Sequence, residues 1–149
     1  MSLSSNLAVA REEEVPTEIA VETNGPFLFE QGLFGFPDCR TFALLPTGSD
    51  GFYLLQSTEH EALGLLLADP FRLFRGYSVD LPKLDADAIG AGRPEDIAIL
   101  VTVTLPDAPG RAATANLQGP VVLNVRARRG RQVILNKPTW GVRELIDLG

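Results

Sequence analysis

Ile97-Ala98-Ile99-Leu100-Val101-Thr102-Val103-Thr104 is the stretch on which the fold turns. Six of these eight residues are β-branched, and such side chains lose rotamer freedom in a helix but pack well on a pleated surface. Arg93-Pro94 precedes the run, and Pro106-Asp107-Ala108-Pro109-Gly110 supplies turn material after it. The pattern predicts a central strand.

Working toward the N-terminus, Leu63 to Ala68 reads as a buried strand closed by Asp69-Pro70, since proline lacks a ladder donor. Phe42-Ala43-Leu44-Leu45 and Phe52-Tyr53-Leu54-Leu55 flank Pro46-Thr47-Gly48-Ser49-Asp50-Gly51, which predicts a hairpin. Phe27-Leu28-Phe29 is a further short strand. Ile19 and Val21 alternate with Glu18, Ala20 and Glu22 before the turn Asn24-Gly25-Pro26, predicting a first hairpin. Toward the C-terminus, Pro120 to Arg128 and Arg131 to Leu135 flank Arg129-Gly130, read as a two-residue hairpin turn.

Helical signals are brief. Thr58 and Glu61 are spaced to cap one turn over Ser57 to Glu61, and Asp85 is placed to cap a short helix through Ile89, ended by Gly90 and Gly92. Many short strands with close turn signals and no alternation with full-length helices define a mainly β fold: a small antiparallel barrel or roll with one or two short helices. Residues 1–15 read as a loose arm and residues 16–149 as one domain, a size that buries enough apolar surface to fold without staples.

Cys39 is the sole cysteine, so no internal disulfide forms, which points to a reducing compartment. The first apolar stretch, Leu7-Ala8-Val9-Ala10, is short and runs into Arg11-Glu12-Glu13-Glu14, unlike a secretory signal. The apolar runs are too short for a membrane span. The expectation is a cytoplasmic protein with no membrane partner. Charge is uneven along the chain: residues 1–110 hold six basic and seventeen acidic groups, residues 111–149 seven basic and two acidic. An acidic body repels nucleic-acid phosphates and favours a basic partner.

Chemistry-bearing patterns are sparse. A hydrolase would have to use His60, the one histidine, with Ser57 and Asp69, yet nothing resembles a nucleophile elbow and His60 falls in a polar turn. One Cys and one His cannot complete a soft-ligand zinc site, and the carboxylates lack calcium-loop spacing. Glu59/Glu61 and Asp85/Asp87 read as solvated pairs, and Gly90-Ala91-Gly92 lacks the third glycine and helix start of a phosphate cradle. No catalytic, cofactor or metal residue is assigned. Arg126, Arg128, Arg129 and Arg131 form a basic hairpin in which Arg126 and Arg128 would share a strand face. An RNA-binding barrel using that hairpin is the alternative reading, although no aromatics are interleaved for base stacking. Core packing is expected of Phe34, Phe36, Phe71, Phe74 and Trp140; any exposed together would anchor a protein interface, with Arg72 and Arg75 alongside.

The order of several motifs resembles the flagellar assembly factor FliW family. They are Gln31-Gly32-Leu33-Phe34-Gly35-Phe36, Arg40, Phe42 to Pro46, Phe52 to Glu59, Asp69-Pro70-Phe71, Pro94 to Ile97, Thr114 to Asn124, and Arg128-x-Gly130-x-Gln132-Val133, spread from Thr17 to Leu135. Departures are Phe34 where the family commonly has proline, Gly119 where it often has alanine, a less acidic Thr58-Glu59-His60-Glu61 turn, and a tail from Lys137 that matches poorly. The resemblance implies a cytoplasmic, non-enzymatic β-barrel-like protein that binds flagellin and, when free, binds the RNA-binding repressor CsrA and relieves repression of flagellin translation. The expected partners are therefore flagellin and CsrA, without direct nucleic-acid contact. The recurring loops nominate Leu33, Phe34, Phe36, Gln56, Ser57, Glu59, Asp69, Phe71 and Phe74 as protein-binding residues.

Overall fold

The structure, a computed structural model, describes residues 7–9, 25–135 and 139–146. The expected hairpin around Ile19 and Val21 lies outside the described residues. Ile97–Thr104 is a strand over its full length, here β7, and both of its faces are buried. Ala98 and Leu100 point into one core, while Ile97, Ile99, Val101 and Val103 point into another. That double burial is why the run reads as continuously apolar rather than alternating.

Strands β2 (Phe27–Leu28), β3 (Thr41–Pro46), β4 (Phe52–Ser57), β5 (Gly64–Ala68), β9 (Val121–Asn124) and β10 (Arg129–Gln132) join β7 in a closed seven-stranded barrel, ordered β7-β5-β4-β3-β2-β10-β9 and back to β7. Neighbours are antiparallel except β2 and β10, which are parallel. Phe27, Phe29, Phe42, Leu44, Leu55, Leu67, Leu100, Val121 and Leu123 fill the interior, with Phe29 edge-on to Phe42 at 5.4 Å. Beyond the barrel, β7 continues into β8 (Ala113–Ala115), which pairs with β11 (Glu144–Ile146). A separate two-stranded ribbon joins β1 (Leu7–Val9) to β6 (Val79–Leu81). So three residues of the segment read as an arm are paired. The ribbon, the one-turn helix α1 (Pro70–Leu73), helix α2 (Lys83–Ala88) and the segment around Trp140 cover the second core on the barrel's outer face.

Three local expectations are corrected. The β9–β10 turn is Val125–Arg128, while Arg129 and Gly130 lie within β10. Asn124 explains the turn, because its Oδ1 accepts from the amides of Arg126 and Ala127, both at 3.1 Å. The glycine serves the core instead, since a Cβ at Gly130 would sit 2.4 Å from the Phe29 ring. At Ser57 to Glu61 there is no helix; Ser57 Oγ, not Thr58, accepts from the amides of Glu59 and His60, and the Thr58 hydroxyl donates to the Thr41 carbonyl. Helix α2 starts after Pro82, so Asp85 sits in its first turn and receives Arg131 at 2.6 Å rather than capping.

Candidate protein-binding surface

The segment from Glu30 to Cys39 is a tight reversal with Phe34 and Gly35 at its tip. Leu33 and Phe36 form a two-way backbone bridge, 3.3 and 2.8 Å, and Gly35 adopts φ +87°. Gly32 adopts φ +68°, and a Cβ there would meet Phe36 and Pro37 backbone atoms at 2.5 to 2.7 Å, so the loop closes only on glycine. Leu33 is buried and pins the loop to the barrel core, whereas Phe34 and Phe36 stay 49% and 40% exposed. The Gln132 side chain braces the tip, its Oε1 accepting from the Phe34 amide at 3.0 Å while Nε2 donates to the Gly119 carbonyl. A cleft of about 70 Å³ opens beside Phe34, between this loop, β10 and the end of α2.

Next to it lies the turn after β4. Glu59 accepts from the amides of Arg40 and Thr41 at 2.7 and 3.1 Å, and those two bonds hold its carboxyl below the ordinary carboxylate range. The Gln56 Nε2 lies 2.9 to 3.4 Å from the carbonyls of Ser57, His60, Glu61 and Leu63 and shares its two N–H donors among them, so it staples the turn internally. Ser57 is buried and its Oγ accepts from the Glu59 and His60 amides, so it shapes the turn.

The third nominated group sits elsewhere. Asp69 caps α1 through the Phe71 amide at 3.0 Å and lies beside Gly51 and Phe52, the far end of β4 from Ser57. Six strand residues separate those ends by roughly 17 Å at the usual rise. Phe71 and Phe74 are half-buried, joining Tyr77 and Trp140 at 5.7 to 5.9 Å between rings, and Tyr77 donates to the Leu117 carbonyl while burial pushes its phenol up. Core packing, expected of all five aromatics, therefore holds for Phe71, Phe74 and Trp140 and fails for Phe34 and Phe36. The nine nominated residues divide into an exposed aromatic tip with a neighbouring acidic turn and a distant packed cluster. Gln132, which braces the tip, is not among the nine; it ends β10, the strand Arg129–Gln132, and its role depends on the distant Phe34 amide.

The basic hairpin does not present a ladder. Arg126 and Arg128 lie in the turn rather than on one strand face. Arg126 reaches Asp96 at 3.6 Å, Arg129 reaches Glu30 at 3.2 Å and Arg131 reaches Asp85. Arg128, at φ +58°, lies 4.0 Å over the Phe27 ring and donates to the Gly25 carbonyl. Among the described residues no helix is long and apolar enough to cross a membrane.

A closed small barrel whose conspicuous exposed feature is a braced aromatic loop has the makings of a protein-contact module. The family profile described as "FliW protein" matches residues 11–146. A flagellar assembly factor FliW from Symbiobacterium thermophilum is 40% identical over 125 residues, covering 83% of this chain and 90% of the relative. One from Geobacillus thermodenitrificans is 40% identical over 112 residues, covering 75% and 77%. A crystal structure of the flagellar assembly factor FliW superposes with a TM-score of 0.76 at 32% identity, covering 95% of this chain and 96% of that one. The chain belongs to the FliW family. The match runs past Leu135 and takes in β11, where the tail read alone appeared divergent.

Proposed function

We propose that this flagellar assembly factor works by contact alone, binding flagellin in the cytoplasm and, when released, binding CsrA so that flagellin mRNA is translated. One observation supports a contact mechanism above the others: two phenyl rings held half out of the surface on a loop that glycine geometry and Gln132 keep rigid. Apolar area presented without a folding cost on binding is what a protein anchor needs. The acidic residues Asp38, Glu59 and Glu61 follow the tip on the same and the adjoining loop, which suits a basic partner. Leu33, Gln56 and Ser57 then act as supports, while Asp69, Phe71 and Phe74 shape a separate region.

If one partner excludes the other, each must weaken the other's affinity by the same factor, and that reciprocity makes the pair a switch. Titration calorimetry with flagellin and with CsrA from the same organism tests this reading, followed by competition of flagellin against labelled CsrA. Binding of both with mutual weakening is expected; binding of neither would overturn it. The carboxylates of Asp96, Glu30 and Asp85 beside Arg126, Arg129 and Arg131 offset the positive charge that the RNA alternative relies on.

A further inference from the structure

Strand β1 lies before the residues that the family profile matches, while its partner β6 lies within them. The three residues pair in register, Leu7 with Leu81, Ala8 with Asp80 and Val9 with Val79. Val9 is buried and Leu7 packs partly against the outer core, with exposed Ala8 between them; Val79 and Leu81 face the same core, with Asp80 outward. Among the described residues β1 is the one strand paired to β6. The domain thus carries an edge strand whose backbone groups and two buried side chains are covered by the chain's own residues 7–9, which precede those the profile matches.

We propose that the edge of β6 is a strand-docking site, held by the chain's own Leu7–Val9, and that an extended protein segment with apolar residues two positions apart occupies it by displacing that strand. The occupant's chemistry is read from the cover already seated there: an apolar residue at each end, a small one between, and backbone groups to complete the ladder. The cover is weakly held. Burying one valine and part of a leucine is comparable in size to the cost of ordering three residues, so β1 falls at the low end of local stability. The central strands, locked between two cores, fall at the high end. A bare edge also invites aggregation, and a guard against that is the competing explanation for β1. This inference is independent of flagellin and CsrA.

The probe is a synthetic peptide with the sequence of residues 5–11. In the full chain carrying Leu7→Asp and Val9→Asp, the peptide should bind saturably and at least about tenfold more tightly than in the unaltered chain, with Trp140 fluorescence confirming a native outer core. Amide exchange over residues 79–81 should speed by about tenfold in the variant and slow again with peptide. Equal peptide affinity in the two chains, or none in a folded variant, overturns the proposal. So does self-association of the variant that peptide fails to reverse, which identifies an aggregation guard only. Should the variant not fold, the unaltered chain decides: amides of 79–81 exchanging faster than those of 97–101 support the proposal, and exchange only by global unfolding overturns it.

Discussion

Truncating the aromatic tip separates recognition from folding. A phenylalanine side chain carries on the order of 200 Å² of surface. With Phe34 49% exposed and Phe36 40% exposed, the area each offers to a partner is about 100 and about 80 Å², which at ~25 cal/mol/Å² is roughly 2 kcal/mol apiece. Phe34→Ala or Phe36→Ala should therefore weaken partner binding about 30-fold each, with the double variant falling short of the product because anchors are not additive. Stability should fall by no more than about 2–3 kcal/mol, because about half of each ring is already in water and Leu33, which pins the loop, is untouched. Calorimetric titration of each partner gives the affinity, and urea unfolding followed through Trp140 gives the stability. A loss for one partner only assigns the tip to that partner. Affinities for both flagellin and CsrA within about threefold of the unaltered chain, in a double variant that unfolds normally, would refute the reasoning.

Gly130→Ala forces the Phe29 ring out of its place in the barrel interior, where the new Cβ would lie 2.4 Å away; unfolding by urea should show a loss of about 1–3 kcal/mol. Asn124→Ala removes the donor to the buried Ile89 carbonyl and the acceptor for two turn amides, with an expected loss of about 2–3 kcal/mol that Asn124→Asp only partly restores. The ionised Glu59 carboxylate, its pKa depressed by the Arg40 and Thr41 amides, holds the turn to the Arg40 segment above the ordinary carboxylate value of 4.5 and releases it as pH falls through its lower folded value. NMR shifts of the Arg40 and Thr41 amides should titrate in that acid window, and Glu59→Gln should abolish the titration.

How far the sequence alone reached depends on whether a residue's reason is local. Ile97–Thr104 was legible at full length because double burial and β-branching act on the same eight residues. The β3–β4 hairpin was legible through its glycines, and its register puts Leu44 opposite Leu55 inside the barrel. Gly130 was misread as a turn residue because its reason is the Phe29 ring, which sequence distance hides. Strand β1 was missed as such because three residues give no period, and its partner, Val79–Leu81, lies far along the chain. At the candidate site the glycine-built loop was visible as a motif. Which aromatics would be exposed was not, since that depends on distant partners: Tyr77 packs on Phe71, while Phe34 stays 49% exposed.

Charge shows the same dependence on folding. The opposite signs of residues 1–110 and 111–149 suggest two patches, yet Arg126, Arg129 and Arg131 from the second part each meet an acid from the first. Such pairs add little stability where exposed. Each pair sets a carboxylate beside a cation, while Arg126 and Arg129 stay at the surface with side chains 70% and 42% exposed. Asp38, Glu59 and Glu61 follow the aromatic tip with Arg40 among them, and Glu30, Arg129 and Arg131 line the cleft beside Phe34. On the proposed function, negative charge brought beside an RNA-binding partner's basic face would oppose phosphate even where the two contacts do not overlap.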